Sequence, residues 1–83
     1  MYCAIYKSSK KQDTYLYVAT KEDFARVPKD LLQMLGDPIH VMDLELSPAR
    51  KLAREDVVEV IQHLQGRGWH LQLSPQEDWL ATH

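Results

Sequence analysis

Three lysines and two serines stand within five positions, Lys7-Ser8-Ser9-Lys10-Lys11. Ammonium and hydroxyl groups at that density can hold a phosphate or an acidic partner through charge-assisted hydrogen bonds. The same residues suit a plainer role, a lysine-rich turn that keeps a hairpin in solution and blunts strand edges. Four tyrosines, Tyr2, Tyr6, Tyr15 and Tyr17, flank the segment. With a side-chain period of two they are expected on one face of a hairpin, with Cys3, Ile5, Leu16 and Val18 on the other. A tyrosine stripe can stack bases, as aromatic platforms on RNA-binding sheets do. If helices cover that face as well, the rings are packing residues with their hydroxyls at the rim. The candidate binding patch is therefore Lys7, Ser8, Ser9, Lys10 and Lys11 with Tyr6, Tyr15 and Tyr17.

Other chemistries find less support. A zinc site takes three or four clustered Cys, His or carboxylate ligands, whereas Cys3, His40, His63, His70 and His83 are scattered along the chain. His40 and His70 could meet on neighbouring strands, but two histidines do not complete a site. A serine or cysteine nucleophile needs a base and a group to orient it. Ser8 and Ser9 lack a glycine elbow around them, and Cys3 sits in a strand, facing inward, where a thiol is an inert small hydrophobe. The carboxylate pairs Glu22/Asp23, Glu55/Asp56 and Glu77/Asp78 fall at expected helix starts, where the helix dipole accounts for them. No glycine-rich phosphate loop is present. The expectation is no catalytic residue, no metal and no cofactor.

The elements that must carry these residues follow from periodicity. Tyr2 to Tyr6 and Thr14 to Ala19 alternate and are rich in strand formers, so they form a hairpin with a long polar loop. Thr20-Lys21-Glu22-Asp23 reads as a helix start. Pro28 interrupts that helix and opens another as its first residue, which carries Leu31, Met34 and Leu35 and ends at Gly36. Segment 21–35 is thus a short helix, a kink and a second short helix. Pro38 to Leu46 is a third strand. From Ser47 two readings stand on periodicity: a helix capped by Ser47-Pro48 running to Gln65, or a turn, a short strand over Arg50 to Ala53 and a helix starting near Glu55. Val57, Val60, Ile61 and Leu64 form the apolar face of that helix, and Gly66 and Gly68 end it. Trp69 to Leu73 alternates as a strand. Ser74-Pro75-Gln76-Glu77 is a capping box for a short C-terminal helix.

This is an α+β sandwich of two or three layers. Its sheet, antiparallel or mixed, has four to five strands, with two main helices and the short terminal one, and residues 1–83 form a single domain. The expected core is Ile5, Leu16, Val18, Phe24, Leu31, Leu35, Val57, Ile61, Leu64 and Leu71. With 83 residues, 45% of them hydrophobic, such a chain has no room for a deep, enclosed active site. Residues 1–29 carry six basic and three acidic side chains, a net of +3, and residues 30–83 four basic and nine acidic, a net of −5. The pI of about 6.0 is not that of a dedicated nucleic-acid binder. The apolar runs fall short of a membrane span, Met1 to Lys7 does not read as a signal peptide, and the lone Cys3 fits a reducing cytoplasm.

Cys3-Ala4-Ile5-Tyr6-Lys7-Ser8-Ser9-Lys10, Thr14-Tyr15-Leu16-Tyr17-Val18, Asp23-Phe24 and Arg26-Val27-Pro28 resemble the YcgL family of small bacterial proteins. Arg50-Lys51-Leu52-Ala53 and Gly68-Trp69-His70-Leu71-Gln72-Leu73-Ser74-Pro75 match its later blocks, with Trp69-His70 where Tyr-Tyr is usual. The resemblance implies a compact α/β domain and no particular activity, substrate or cofactor. It also favours the turn at Ser47-Pro48 and a short strand near Arg50 to Ala53. The expected function is a small cytoplasmic, non-enzymatic protein-interaction module with an unidentified protein partner, no membrane and no metal. The alternative is RNA or single-strand binding through the tyrosines and the lysine loop.

Overall fold

The first strand, β1 (Tyr2–Lys7), lies inside a sheet built from β2 (Tyr15–Val18), β3 (Ile39–Glu45) and β4 (Trp69–Gln72). The computed structural model describes residues 1–52 and 54–74. The strand order is β3-β1-β2-β4, and every neighbouring pair is antiparallel. Helix α1 (Lys29–Leu35) precedes β3, and α2 (Val57–Arg67) precedes β4.

Pairing register decides which side chains share a face. Ala4 opposes Val18 and Tyr6 opposes Leu16, while Ile5 opposes Tyr17. Cys3, Ile5 and Tyr17 therefore point to one face, where Leu44, Leu46 and the α2 residues Val57, Val60 and Leu64 bury them. Ala4, Tyr6, Leu16 and Val18 point to the other, under Val27 and Leu35, with Phe24, Leu31, Leu32, Trp69 and Leu71 packed around them. The sandwich is three-layered, with α2 on one side and α1 with the loop before it on the other. Fully burying an aliphatic chain such as Val60 or Leu64 contributes ~1.5–3 kcal/mol, so both helices are held mainly by these contacts.

The tyrosine stripe expected from period two does not form. The hairpin register joins Leu16 and Val18 to Ala4 and Tyr6, not to Cys3 and Ile5. Tyr6 and Tyr17 consequently lie on opposite faces and are only 3% and 5% exposed.

The segment before Pro28 also differs from expectation. Residues 19–27 form turns, and the only helix there begins after Pro28, which serves as its N-cap. Glu22 sits at φ +64, a conformation a helix cannot contain, and its N–H donates to the Tyr6 hydroxyl at 2.7 Å. Gly36 closes α1 at φ +74.

After β3, Ser47 to Arg50 makes a turn, with the Arg50 N–H bonded to the Ser47 carbonyl at 3.0 Å. No strand follows over residues 50–52; Ala53 lies outside the described residues. The Asp56 carboxylate caps α2 by accepting from the Val58 and Glu59 N–H groups. Gly66 is inside that helix, and Gly68 alone ends it, in the left-handed conformation. The expected C-terminal helix falls outside the described residues. Of the expected core, Phe24, Leu31, Ile61 and Leu71 are partly rather than fully buried.

Candidate functional site

The lysine-serine loop is built rather than loose. The Ser8 hydroxyl donates to the Leu35 carbonyl at 2.6 Å and accepts from the Lys10 and Lys11 N–H groups at 3.1 and 2.8 Å. The Ser9 and Lys10 N–H groups also reach the Leu35 carbonyl. Lys10 Nζ donates to the Gln33 carbonyl at 3.1 Å. Carbonyls at a helix C-terminus lack intrahelical partners and carry partial negative charge, and this loop satisfies those of Gln33 and Leu35. The charge of Lys10 is thereby directed to α1.

Lys7, Ser8, Ser9 and Tyr15 come together with Gln12, Asp13 and Ile39 around an open hollow of about 400 Å³. Lys10 lines a different hollow with Phe24, Leu32 and Pro38. Of the eight sequence-derived site residues, four thus share one place. Lys10 and Lys11 serve the loop's own fold, and Tyr6 and Tyr17 serve the two cores. Tyr6 packs edge-on against Phe24, with ring centres 4.9 Å apart. The Tyr17 hydroxyl donates to Gln72 Oε1 at 2.8 Å, and burial pushes its pKa up to about 12.

The hollow borders a surface that sequence reasoning missed. On β3, Ile39, Val41 and Met42 are 44%, 47% and 43% exposed. Ile39 opposes Lys7, Met42 opposes Ile5 and Leu44 opposes Cys3, while the register slips between Ile5 and Tyr6 and passes over Val41. A β-bulge of this kind adds one residue and inverts the alternation beyond it. Odd-numbered Ile39 and even-numbered Met42 and Leu44 therefore share the α2 face of the sheet. Leu44 lies beneath α2; Ile39 and Met42 extend that face toward the hairpin loop. The signal in the sequence was the broken alternation of Ile39, Val41, Leu44 and Leu46.

The other titratable groups fall elsewhere. Burial foremost pushes the Cys3 thiol up to about 11, which favours its protonated form at neutral pH. His40 and His70 do not meet, because β3 and β4 are the opposite edges of the sheet. His40 instead hydrogen-bonds Asp43 at 2.9 Å, which, with Lys21 at 3.8 Å, holds the Asp43 carboxyl below its ordinary range. His70 meets His63 of α2, their Nδ1 atoms 2.8 Å apart. Among the described residues there is no group of three or more His, Cys, Asp or Glu placed to hold a metal ion, and no helix long and apolar enough to cross a membrane.

The comparisons with known proteins agree with the block pattern of the sequence. The family model of the YcgL domain matches residues 3–75. A YcgL domain-containing protein of Pseudomonas putida (strain W619) is 52% identical over 98% of this chain and 84% of its own length. A YcgL domain-containing protein of Azotobacter vinelandii (strain DJ) is 47% identical over the same shares. One of Pseudomonas paraeruginosa (strain DSM 24068 / PA7) is likewise 47% identical over those shares.

Proposed function

This chain belongs to the YcgL domain family, and on that footing we propose that it is a cytoplasmic, non-enzymatic protein-interaction module whose partner docks on the β3 end of the α2 face. The observation that carries this reading is the exposure of Ile39, Val41 and Met42 on one edge strand. Burying each such side chain against a partner contributes up to ~1.5–3 kcal/mol. Lys7, Ser8, Ser9 and Tyr15 border the patch through the hollow that Ile39 also lines. They supply the polar rim that surrounds an apolar contact in a typical interface. A non-catalytic role is supported at two of the three candidate nucleophiles, since burial raises the Cys3 thiol pKa and the Ser8 hydroxyl donates to the Leu35 carbonyl.

The test is crosslinking pull-down from cytosol with the wild-type chain, an Ile39→Asp/Met42→Asp variant and a Val58→Asp variant. Val58 is equally exposed but lies on α2. Proteins lost with the double variant and kept with Val58→Asp, at unchanged melting temperature, are the expected result. A protein set indifferent to the double variant, or crosslinks dominated by RNA, would overturn it.

A further inference from the structure

Two histidines and two carboxylates that the interaction surface does not use form one chain across three parts of the fold. Glu55, in the segment before α2, has Oε1 2.9 Å from Nε2 of His70 on β4. His70 Nδ1 is 2.8 Å from His63 Nδ1 on α2, and the two rings stack with centres 5.1 Å apart. His63 Nε2 is 3.9 Å from Glu59 Oε1. The His70 side chain is buried, that of Glu55 largely so, and His63 reaches the surface.

We propose that this chain is a proton-operated latch, closed on β4 while at least one ring is neutral and opened when both rings are charged. The donor and acceptor inventory dictates the proton positions. An ionised carboxylate only accepts, so His70 Nε2 carries the proton that meets Glu55. The His70 Nδ1 lone pair then accepts from His63 Nδ1–H, and His63 Nε2 is left bare toward Glu59 and water. A first added proton binds at His63 Nε2, beside Glu59. It leaves the Nδ1–H donor in place, and the latch stays closed. A second can bind only at His70 Nδ1. There it sets one N–H against another and two cations in contact, and the inter-ring bond is lost.

The remaining groups around His70 favour this order. Tyr17 packs edge-on against the His70 ring at 5.5 Å, and with a pKa of about 12 it is neutral and contributes no counter-charge. Arg54, next to Glu55 in sequence, is held on the Leu73 carbonyl rather than on the Glu55 carboxylate that faces His70. Opening therefore frees α2 from an edge strand while the charged His70 ring keeps its Nε2–H bond to Glu55, and the α2 side of β4 is the part that loosens.

Nitrogen NMR of the histidine rings at pH 8 should show His70 protonated at Nε2 and His63 at Nδ1. On acidification from pH 8 to pH 5, hydrogen-exchange protection of residues 69–72 should fall about ten-fold once intrinsic pH effects are removed. His63→Phe keeps a stacked ring without nitrogen and should abolish that step. Both rings protonated at Nε2 at pH 8, no step in the wild type, or a step that survives in His63→Phe would each overturn the latch. Should His63→Phe not fold, the wild-type tautomers and exchange step decide the matter alone.

Discussion

The two edges of the sheet are finished in different ways. Along β4, the Gly68 carbonyl bonds inward to the Ala19 N–H at 3.0 Å, so by antiparallel alternation Trp69, Leu71 and Leu73 turn their carbonyls outward. The first and last are met by arginines: Arg67 Nε donates to Trp69 at 3.0 Å and Arg54 to Leu73. The Arg67 guanidinium also lies 3.9 Å over the Trp69 ring. Along β3, the paired bonds between Met1 and Leu46 turn the Leu46 backbone inward, and the edge carries a bulge, the His40–Asp43 pair and three exposed apolar side chains. An open strand edge is a template for unwanted pairing. The β4 edge is shielded at both ends by arginine donors that occupy the Trp69 and Leu73 carbonyls. On β3 the bulge and charges deter backbone pairing while apolar side chains remain on view. That difference is what one expects if β3 meets a partner through side chains and β4 is meant to meet none.

The comparison is broken most thoroughly by removing what the edges share. Leu16, buried in β2 between Tyr6 and Leu71, is the test position. Leu16→Ala should cost about 2–5 kcal/mol in urea unfolding and weaken partner capture and β4 exchange protection together. Loss of β4 protection with β3 docking intact would show that the edges are separate cooperative units.

A smaller change should convert the protected edge into an open one. Arg54→Ala with Arg67→Ala leaves the Leu73 and Trp69 carbonyls to water. Each lost hydrogen bond costs about 0.5–1.5 kcal/mol, and the Arg67–Trp69 stacking adds about 0.5–1 kcal/mol. The double variant should also self-associate more in sedimentation at high concentration. A monodisperse variant of unchanged melting temperature would mean the arginines do not protect β4.

What could be read from the sequence was what depends on short-range pattern. The strand and helix alternations, the Gly36 and Gly68 helix ends and the apolar face of α2 belong to this class. What could not be read depends on register. The hairpin's loop length sets which residues oppose, and one residue of offset moved Leu16 and Val18 to the face of Ala4 and Tyr6, dissolving the tyrosine platform. The bulge at Val41 hid the exposed patch in the same way. Glu22 at positive φ is fixed by a tertiary bond to Tyr6, so Thr20-Lys21-Glu22-Asp23 carried a helix-start signal that long-range packing overrode. The partner of His63 was invisible in the sequence, because only the fold brings His70 of β4 against α2.

The smallest expected effect separates lysines that the sequence presents as equivalents. Lys10 reaches the Gln33 carbonyl at the end of α1, whereas Lys7 borders the hollow beside Ile39. Both residues are exposed, so each side chain contributes no more than ~1 kcal/mol to stability. Lys10→Ala should lower the melting temperature slightly, by loosening the loop from the helix end, and leave partner capture unchanged. Lys7→Ala should leave melting unchanged and weaken capture of a partner with acidic groups near its contact. That loss should shrink as added salt screens the wild-type attraction over about 10 Å at 0.1 M. Equal behaviour of the two variants in both measurements would show the loop to be a solubilising turn, and the docking surface would then reduce to the apolar residues of β3.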